Sequence, residues 1–282
     1  LKLNHLTARF TLTISIISRR SMPINRYEDE GIARYWNNKY GEIYHPYLHG
    51  RQQKVLDIIA DLNLPTGSSC LELGTGGGQN AIKYAELGLH VHGVDSSDEL
   101  LKTAQELALQ HDNLEFSNVD LNIQMPFDDA SFDLVVVVGT LQYLLEPSAC
   151  VKEVNRILKP GGYFIVCQRN ALSFNVLRRP VSFLCCFLSQ EGFEWGGRGV
   201  STAVGSSEKG SKSVLIKRMV KFSNLTRWFS NAGLQTVQCS GFTPDFAVAP
   251  SLFRFLNRLL NFVPTMYRFS HVVLATAKKP ST

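Results

Sequence analysis

Apolar runs and amphipathic segments alternate along most of the chain. Seven short runs rich in apolar or β-branched residues have the length of strands: residues 70–73, 89–95, 114–120, 132–139, 163–166, 235–240 and 271–277. Segments with helical spacing of apolar residues cover 49–62, 80–87, 97–110, 153–159 and 223–232. Alternating strands and helices favour right-handed strand-helix-strand units. We therefore predict an α/β fold with a doubly wound, mostly parallel seven-stranded sheet and helices on both faces.

A glycine-rich turn follows the first predicted strand. Gly74, Gly76 and Gly78 alternate with other residues, and the acidic Glu72 stands two positions before them. Glycine permits backbone conformations that a Cβ forbids and lets a ligand approach the main chain, while the N-terminus of the next helix offers free N–H groups. A dinucleotide-binding fingerprint would place its third glycine at Gln79. The turn alone does not distinguish a nucleotide site from a structural turn.

Further landmarks occur in order after this turn. Asp95 ends the second strand, 23 residues beyond Glu72, Asp120 closes the third, and Gly139 follows the β-branched run of the fourth. Together these motifs resemble class I S-adenosylmethionine-dependent methyltransferases of the small-molecule type, which includes quinone, sterol and natural-product enzymes. The resemblance covers about residues 70–166. It implies a Rossmann-like domain, S-adenosyl-L-methionine as cofactor and methyl transfer to a small acceptor.

The resemblance also implies a set of cofactor-binding residues at the carboxyl ends of the strands. Asp95 is expected to accept hydrogen bonds from the ribose hydroxyls, and Asp120 is expected beside the adenine amino group. The full set is Glu72, Gly74, Thr75, Gly76, Gly78, Asp95, Ser96, Asp120, Leu121 and Gly139.

Candidate acceptor-binding residues come from two segments. Tyr40, Tyr44 and His45 lie in an aromatic-rich stretch ahead of the first strand, which in similar enzymes folds over the cofactor. Gln142 and Tyr143 follow the fourth strand. The aromatic residues are equally compatible with packing a helix onto the sheet. No residue has the paired acid or spacing of a general base, so catalytic residues stay unassigned.

The fourth strand also bears on the acceptor and on two competing functions. The chain reads Gly139-Thr140-Leu141-Gln142, without the Asn-Pro-Pro-Tyr type of motif found in enzymes that methylate amino groups of nucleic acids and proteins. This favours O- or C-methylation of a lipid-like or aromatic acceptor, and no nucleic-acid partner is expected.

Two other functions are alternatives to methyl transfer. One is a non-catalytic binding module on the same fold, and the other is an NAD-linked oxidoreductase, which the glycine spacing disfavours.

The domain organisation is predicted from composition. Residues 1–21 contain four basic residues and no acid, which predicts a disordered extension, with an organellar transit segment as the alternative. Residues 22–69 form a helical, aromatic cap, and residues 70–282 form the methyltransferase domain with basic, hydrophobic insertions at about 170–222 and 245–268. Within the first insertion, the Gly and Ser content of 192–213 is typical of a mobile loop. In the second, 251–263 predicts an apolar helix with a narrow polar stripe, suited to peripheral membrane contact or to packing on its own domain.

Charge and cysteine content refine this description. The net charge of +5 combines +4 over residues 1–21, −10 over residues 22–160 and +11 over residues 161–282. The later half is therefore basic, which suits an anionic partner or a simple solvated face.

Six cysteines without metal-ligand spacing predict buried free thiols, a reducing compartment such as the cytoplasm and no metal site. No apolar run approaches the roughly 20 residues that span a bilayer. The oligomeric state is not predicted.

Overall fold

The computed structural model describes residues 46–170, 193–196, 216–242, 268 and 270–281. Three predicted acceptor residues, Tyr40, Tyr44 and His45, lie outside these ranges. So do the extension 1–21 and the predicted helix 251–263, and the predictions made for all of them remain predictions.

Nine strands are present in the described residues, and seven of them form one sheet. These seven are β1 Ser69–Leu73, β2 His90–Asp95, β3 Leu114–Asn118, β4 Phe132–Val138, β5 Leu158–Arg169, β8 Gln235–Phe242 and β9 Val272–Lys278. The sheet order is β3-β2-β1-β4-β5-β9-β8. Strands β1 to β5 pair in parallel, and β9 runs antiparallel to both β5 and β8. The prediction of a mostly parallel seven-stranded sheet is confirmed.

Five helices connect or flank these strands within the described residues. They are α1 Pro46–Asp61, α2 Gln79–Glu86, α3 Asp98–Ala108, α4 Pro147–Ile157 and α5 Phe222–Asn231, and a short 3-10 turn covers Leu141–Tyr143. The sequence explains where several of them begin. Gly78 precedes α2 in the left-handed conformation, the Ser97 hydroxyl accepts from the Leu100 N–H at the start of α3, and Pro147 occupies the first turn of α4.

The hydrophobic core has two layers, one on each face of the sheet. Along β4, Leu134 and Val136 pack on the face that α1 and α2 cover, whereas Val135 and Val137 pack on the face that α4 and α5 cover. Because both faces are buried, a continuous apolar run is favoured in this central strand over an alternating one. Full burial of each such side chain contributes about 1.5–3 kcal/mol.

The amino ends of the central strands are joined by an acidic side chain. Asp133 Oδ2 accepts hydrogen bonds from the Ser69 N–H at 2.9 Å and the Ser69 hydroxyl at 2.8 Å, and Lys159 Nζ lies 2.8 Å away. Asp133 therefore links β1, β4 and β5 at the edge opposite the glycine-rich turn. Its role is structural.

The prediction of a mobile loop over 192–213 missed a short strand at its beginning. Phe193–Gly196 forms strand β6, which pairs antiparallel with β7, Ile216–Met219. The signal was the alternation of Phe193, Glu194 and Trp195, which the neighbouring glycines and serines obscured. Across the part of the chain that the structure describes, no helix is both long and apolar enough to cross a membrane.

Candidate functional site

The carboxyl ends of β1, β2, β3 and β4 meet at one edge of the sheet. Strand β1 lies between β2 and β4, so the winding of the chain changes direction there. Ligands of open α/β sheets bind in the crevice that this reversal creates. Glu72 lies within β1 and Asp95 is the last residue of β2. The loops after the four strands carry the other predicted cofactor residues.

The glycine-rich turn after β1 is held against the neighbouring strand β2. The N–H groups of Gly74 and Thr75 both donate to the Val94 carbonyl, at 2.7 and 2.9 Å. Gly74, Gly76 and Gly78 all have positive φ angles, of 71°, 57° and 82°. Since side chains with a Cβ rarely adopt this conformation, the sequence pattern has a direct backbone cause.

The two glycines at the start of the turn have different surroundings. A Cβ added to Gly74 would lie 2.3 Å from Thr140 Oγ1, so this position packs directly against the loop after β4. A Cβ added to Gly76 would meet no atom of the described residues within 4 Å. The backbone at Gly76 therefore faces open space in the crevice, which leaves room for a ligand to approach.

Asp95 is fixed at the end of β2 by backbone groups. Its Oδ2 accepts from the Gly76 N–H at 2.9 Å, and its Oδ1 accepts from the Ser97 N–H at 3.0 Å. Burial raises the pKa of Asp95 above its usual value, although backbone N–H groups oppose the shift. The carboxylate thus has a defined orientation next to Gly76, and each oxygen retains capacity to accept a further hydrogen bond.

Glu72 lies beneath the turn and is almost fully buried, with 1% of its surface exposed. The Thr75 hydroxyl donates to Glu72 Oε2 at 2.7 Å, and the Asn80 side chain hydrogen-bonds the same carboxyl group. Burial raises the pKa of Glu72 to about 7, against the lowering effect of these hydrogen bonds and of the positive Arg51. The site therefore contains an acid that titrates near neutral pH.

Asp120 lies two residues beyond the end of β3 and has a fixed local geometry. Its Oδ1 accepts from the backbone N–H of Asn122 at 2.9 Å and from Asn122 Nδ2 at 2.8 Å. The predicted strand 114–120 is therefore two residues too long. The adjacent Leu121 is buried, whereas Asp120 is half-buried at the sheet edge.

The loop after β4 brings Gly139, Gln142 and Tyr143 to the same edge. Gly139 has a φ of 78°, and its N–H donates to the Cys167 carbonyl of β5 at 2.8 Å. Gln142 is buried, and its Nε2 donates to the Gly139 carbonyl at 2.7 Å. This hydrogen bond holds the 3-10 turn in place, and Tyr143 is half-buried within the same turn.

Sequence reasoning missed the contribution of α1 to this site. Arg51 is buried, and its Nη1 would lie 2.9 Å from a Cβ added to Gly139. Next to it, Gln52 Nε2 donates to the Gln79 carbonyl at 3.1 Å and to Asn80 Oδ1 at 3.0 Å. These residues place α1 against both the glycine-rich turn and the loop after β4. In the sequence they are polar positions of an amphipathic helix, which carry no signal of a site.

No group of three or more His, Cys, Asp or Glu side chains with metal-binding geometry occurs among the described residues. The described cysteines are free thiols, and Cys70, Cys150 and Cys167 are buried. Burial raises the pKa of all three thiols, so they are protonated at neutral pH.

Comparison with known proteins identifies relatives of the chain. A family model described as a methyltransferase domain matches residues 71–166. A ubiquinone biosynthesis O-methyltransferase of Xanthomonas campestris pv. campestris is 30% identical over 198 residues, which cover 69% of this chain and 74% of that relative. The chain belongs to the class I S-adenosylmethionine-dependent methyltransferases.

Two further comparisons show how much of this methyltransferase resembles known proteins in sequence and in structure. A demethylmenaquinone methyltransferase of Clavibacter sepedonicus is 33% identical over 113 residues, which cover 40% of this chain but only 46% of that relative. A Haloferax volcanii methyltransferase solved with the Trm112 methyltransferase activator has a TM-score of 0.62 at 21% identity, covering 91% of this chain and 99% of that one. At this identity the structural likeness shows the fold alone.

Proposed function

We propose that this methyltransferase transfers a methyl group from S-adenosyl-L-methionine to a phenolic oxygen of a small aromatic acceptor of the catechol or quinol type. The open space over Gly76, next to the oriented carboxylate of Asp95, carries the proposal for the donor. The ubiquinone biosynthesis O-methyltransferases that match more than two thirds of the chain support the acceptor class. Methylation at carbon is the second candidate, since a demethylmenaquinone methyltransferase is also a relative.

The residues at the edge suit the donor in charge and shape. Asp95 would accept from the ribose hydroxyls, and Asp120 would accept from the adenine amino group through the oxygen that Asn122 leaves free. Glu72 places a carboxyl group beneath the turn, where a positively charged ligand favours its ionised form. The remaining predicted residues, Gly74, Thr75, Gly78, Ser96, Leu121 and Gly139, would supply backbone contacts and the walls of the crevice.

S-adenosyl-L-methionine supplies a methyl group on a sulfonium sulfur, which is already an activated leaving group. The protein therefore has mainly to hold the acceptor in line with that methyl group. Holding two reactants in a productive geometry removes as much as about 7–11 kcal/mol from a bimolecular barrier. Hydrogen bonds hold the loops after β1, β2 and β4 in place, and these loops would provide the backbone that such positioning requires.

Acceptor recognition is proposed for the loop after β4 and for the segment before α1. Tyr143 is half-buried at the sheet edge, and Gln142 contributes by fixing the turn that carries it. Tyr40, Tyr44 and His45 remain candidates for the wall opposite this turn. The general base for a phenolic hydroxyl stays unassigned.

Calorimetric titration with S-adenosylhomocysteine, with NADH as the parallel ligand, tests the donor. We expect binding of S-adenosylhomocysteine alone, weaker by about tenfold or more in Asp95→Ala, and abolished in Gly76→Arg because the side chain fills the crevice. The matched control is Asp112→Ala, which removes an exposed carboxylate just before β3, at the other edge of the sheet. Binding of NADH instead, or unchanged affinity in folded Asp95→Ala and Gly76→Arg, would overturn the assignment.

The acceptor is tested with S-adenosylmethionine carrying a labelled methyl group and a panel of catechols, hydroxyquinols and naphthoquinols, with and without an isoprenoid chain. Label in an acid-stable methyl ether supports O-methylation, whereas label on a ring carbon supports the second candidate. Transfer to an amine, or no transfer to any aromatic acceptor, contradicts the proposed acceptor class.

A further inference from the structure

Asn122 makes three hydrogen bonds at the carboxyl edge, two within its own loop and one to the loop after β4. Its backbone N–H and its Nδ2 both donate to Asp120 Oδ1, at 2.9 and 2.8 Å. Its Oδ1 accepts from the Leu145 N–H at 2.7 Å. One side chain therefore connects the loop that carries Asp120 to the residue that follows the 3-10 turn.

The chemistry of this position requires an amide. The side chain donates to a carboxylate on one side and accepts from a backbone N–H on the other. A carboxylate at this position could accept but could not donate, and it would repel the negative charge of Asp120. Asparagine is the shortest side chain that presents a carbonyl oxygen and an NH2 group together.

The loop around Asn122 is itself anchored on its other side. The Met125 N–H donates to Glu153 Oε2 at 3.3 Å, and Arg156 Nη1 and Nη2 donate to the carbonyls of Phe127 and Met125, at 2.7 and 3.1 Å. Helix α4 thus fixes the distal part of the loop, while Asn122 fixes the part nearest the site. Without the Asn122 side chain, the backbone N–H of Asn122 is the only donor to the Asp120 carboxylate among the described residues.

We infer that Asn122 is a positioning residue that aims the free oxygen of Asp120 at the adenine amino group and holds this loop at a set distance from the loop after β4. The inference rests on the proposed function, because it assigns Asp120 to adenine. We expect this arrangement to affect the choice between bases more than the overall affinity for the cofactor. Removing the Asn122 amide lowers the preference of the site for adenine over a base without an amino donor.

The test compares two ligands that differ at one position of the base. S-inosylhomocysteine carries a carbonyl oxygen where S-adenosylhomocysteine carries the amino group, so at that position it presents an acceptor instead of a donor to Asp120. The measured quantity is the dissociation constant of S-inosylhomocysteine divided by that of S-adenosylhomocysteine, so a high ratio means a strong preference for adenine. We expect Asn122→Ala to lower this ratio by about threefold to tenfold, the loss of one to two ordinary hydrogen bonds.

Two further variants sharpen the result. Asn122→Asp keeps an oxygen for the Leu145 N–H but loses the donor to Asp120, so the ratio falls at least as far as in Asn122→Ala. The matched control is Ile123→Ala, at a side chain that is 65% exposed and lies next in the chain. Its ratio stays at the wild-type value.

The outcomes separate this inference from the proposed function. If the wild-type protein binds no S-adenosylhomocysteine, both fall. If it binds S-adenosylhomocysteine and the ratio is unchanged in Asn122→Ala and Asn122→Asp, the inference alone is overturned. A purely structural role for Asn122 predicts a lower melting temperature with both ligands weakened in equal proportion, and that result also overturns the inference.

Discussion

Replacing each of two glycines in the same turn by alanine tests the geometry of the site. Both Gly74 and Gly76 have positive φ angles, so each substitution costs about 1–2 kcal/mol of folding free energy from backbone conformation alone. Their surroundings differ. The new methyl group at position 74 would lie 2.3 Å from Thr140 Oγ1 and 2.4 Å from Thr140 Cγ2. The methyl group at position 76 would contact no atom in the part of the chain that the structure describes.

The magnitudes follow from these distances. Overpacking of this kind typically costs a further 1–3 kcal/mol, so we expect Gly74→Ala to lower the free energy of unfolding by about 2–5 kcal/mol. We expect only the backbone cost of about 1–2 kcal/mol for Gly76→Ala. Thr140→Ala removes the two closest atoms, and it should recover part of the stability that Gly74→Ala loses.

For ligand binding we expect the larger effect in Gly76→Ala and the smaller effect in Gly74→Ala, which is the reverse of their effects on stability. A methyl group at Gly76 occupies the space through which the cofactor would approach the backbone. We expect S-adenosylhomocysteine affinity to fall by about tenfold or more in Gly76→Ala, which corresponds to at least about 1.4 kcal/mol. The folded fraction of Gly74→Ala should retain affinity closer to that of the wild type.

The two quantities are measured by urea unfolding of the ligand-free proteins and by calorimetric titration well below their melting temperatures. Equal losses of stability in Gly74→Ala and Gly76→Ala would refute the packing argument. Wild-type affinity in Gly76→Ala would show that the open space over this residue is not the approach of the ligand.

Three further predictions concern stability and pH. Burial raises the pKa of Glu72 to about 7 from a usual value of 4.5, so the free energy of unfolding should fall as pH rises between these values. Glu72→Gln should flatten that slope, which is at most about 1.4 kcal/mol per pH unit, in urea titrations across this range. Burial alone would raise the pKa of Asp133, but the hydrogen bonds from Lys159 and Ser69 hold it below its usual 3.8. Asp133→Asn should therefore cost about 1 kcal/mol at pH 7 and progressively less below pH 3.8, and a constant cost would contradict this. Arg156→Met should cost about 2 kcal/mol by removing hydrogen bonds to two backbone carbonyls and two carboxylates, and unfolding midpoints at neutral pH check this value.

The sequence predicted the central part of the fold because local pattern and tertiary environment agree there. Strand β4 is apolar at every position that the two core layers bury. The spacing of Gly74, Gly76 and Gly78 reflects their three positive φ angles. Strand β6 was missed because a four-residue strand among glycines and serines has little pattern of its own.

The contacts between distant segments of the site could not be predicted from the sequence. Arg51 faces Gly139, and Thr140 contacts Gly74, across separations that no local periodicity encodes. The same holds for Asn122 and Leu145. The identities of the cofactor residues follow from motif spacing, but the residues that hold them in place become visible only when the loops are seen side by side.

The order of strands has a consequence for synthesis on the ribosome. Strand β9 follows β8 in the chain, yet it lies between β5 and β8, and within the described residues β8 pairs with no other strand. A nascent chain that has emerged as far as β8 therefore has a five-stranded parallel sheet with the edge of β5 open. Exposed edges of this kind pair readily with other chains. Until Val272–Lys278 leaves the exit tunnel, the edge of β5 stays open to intermolecular pairing, and the exposure lasts longer the more slowly the last segment is translated.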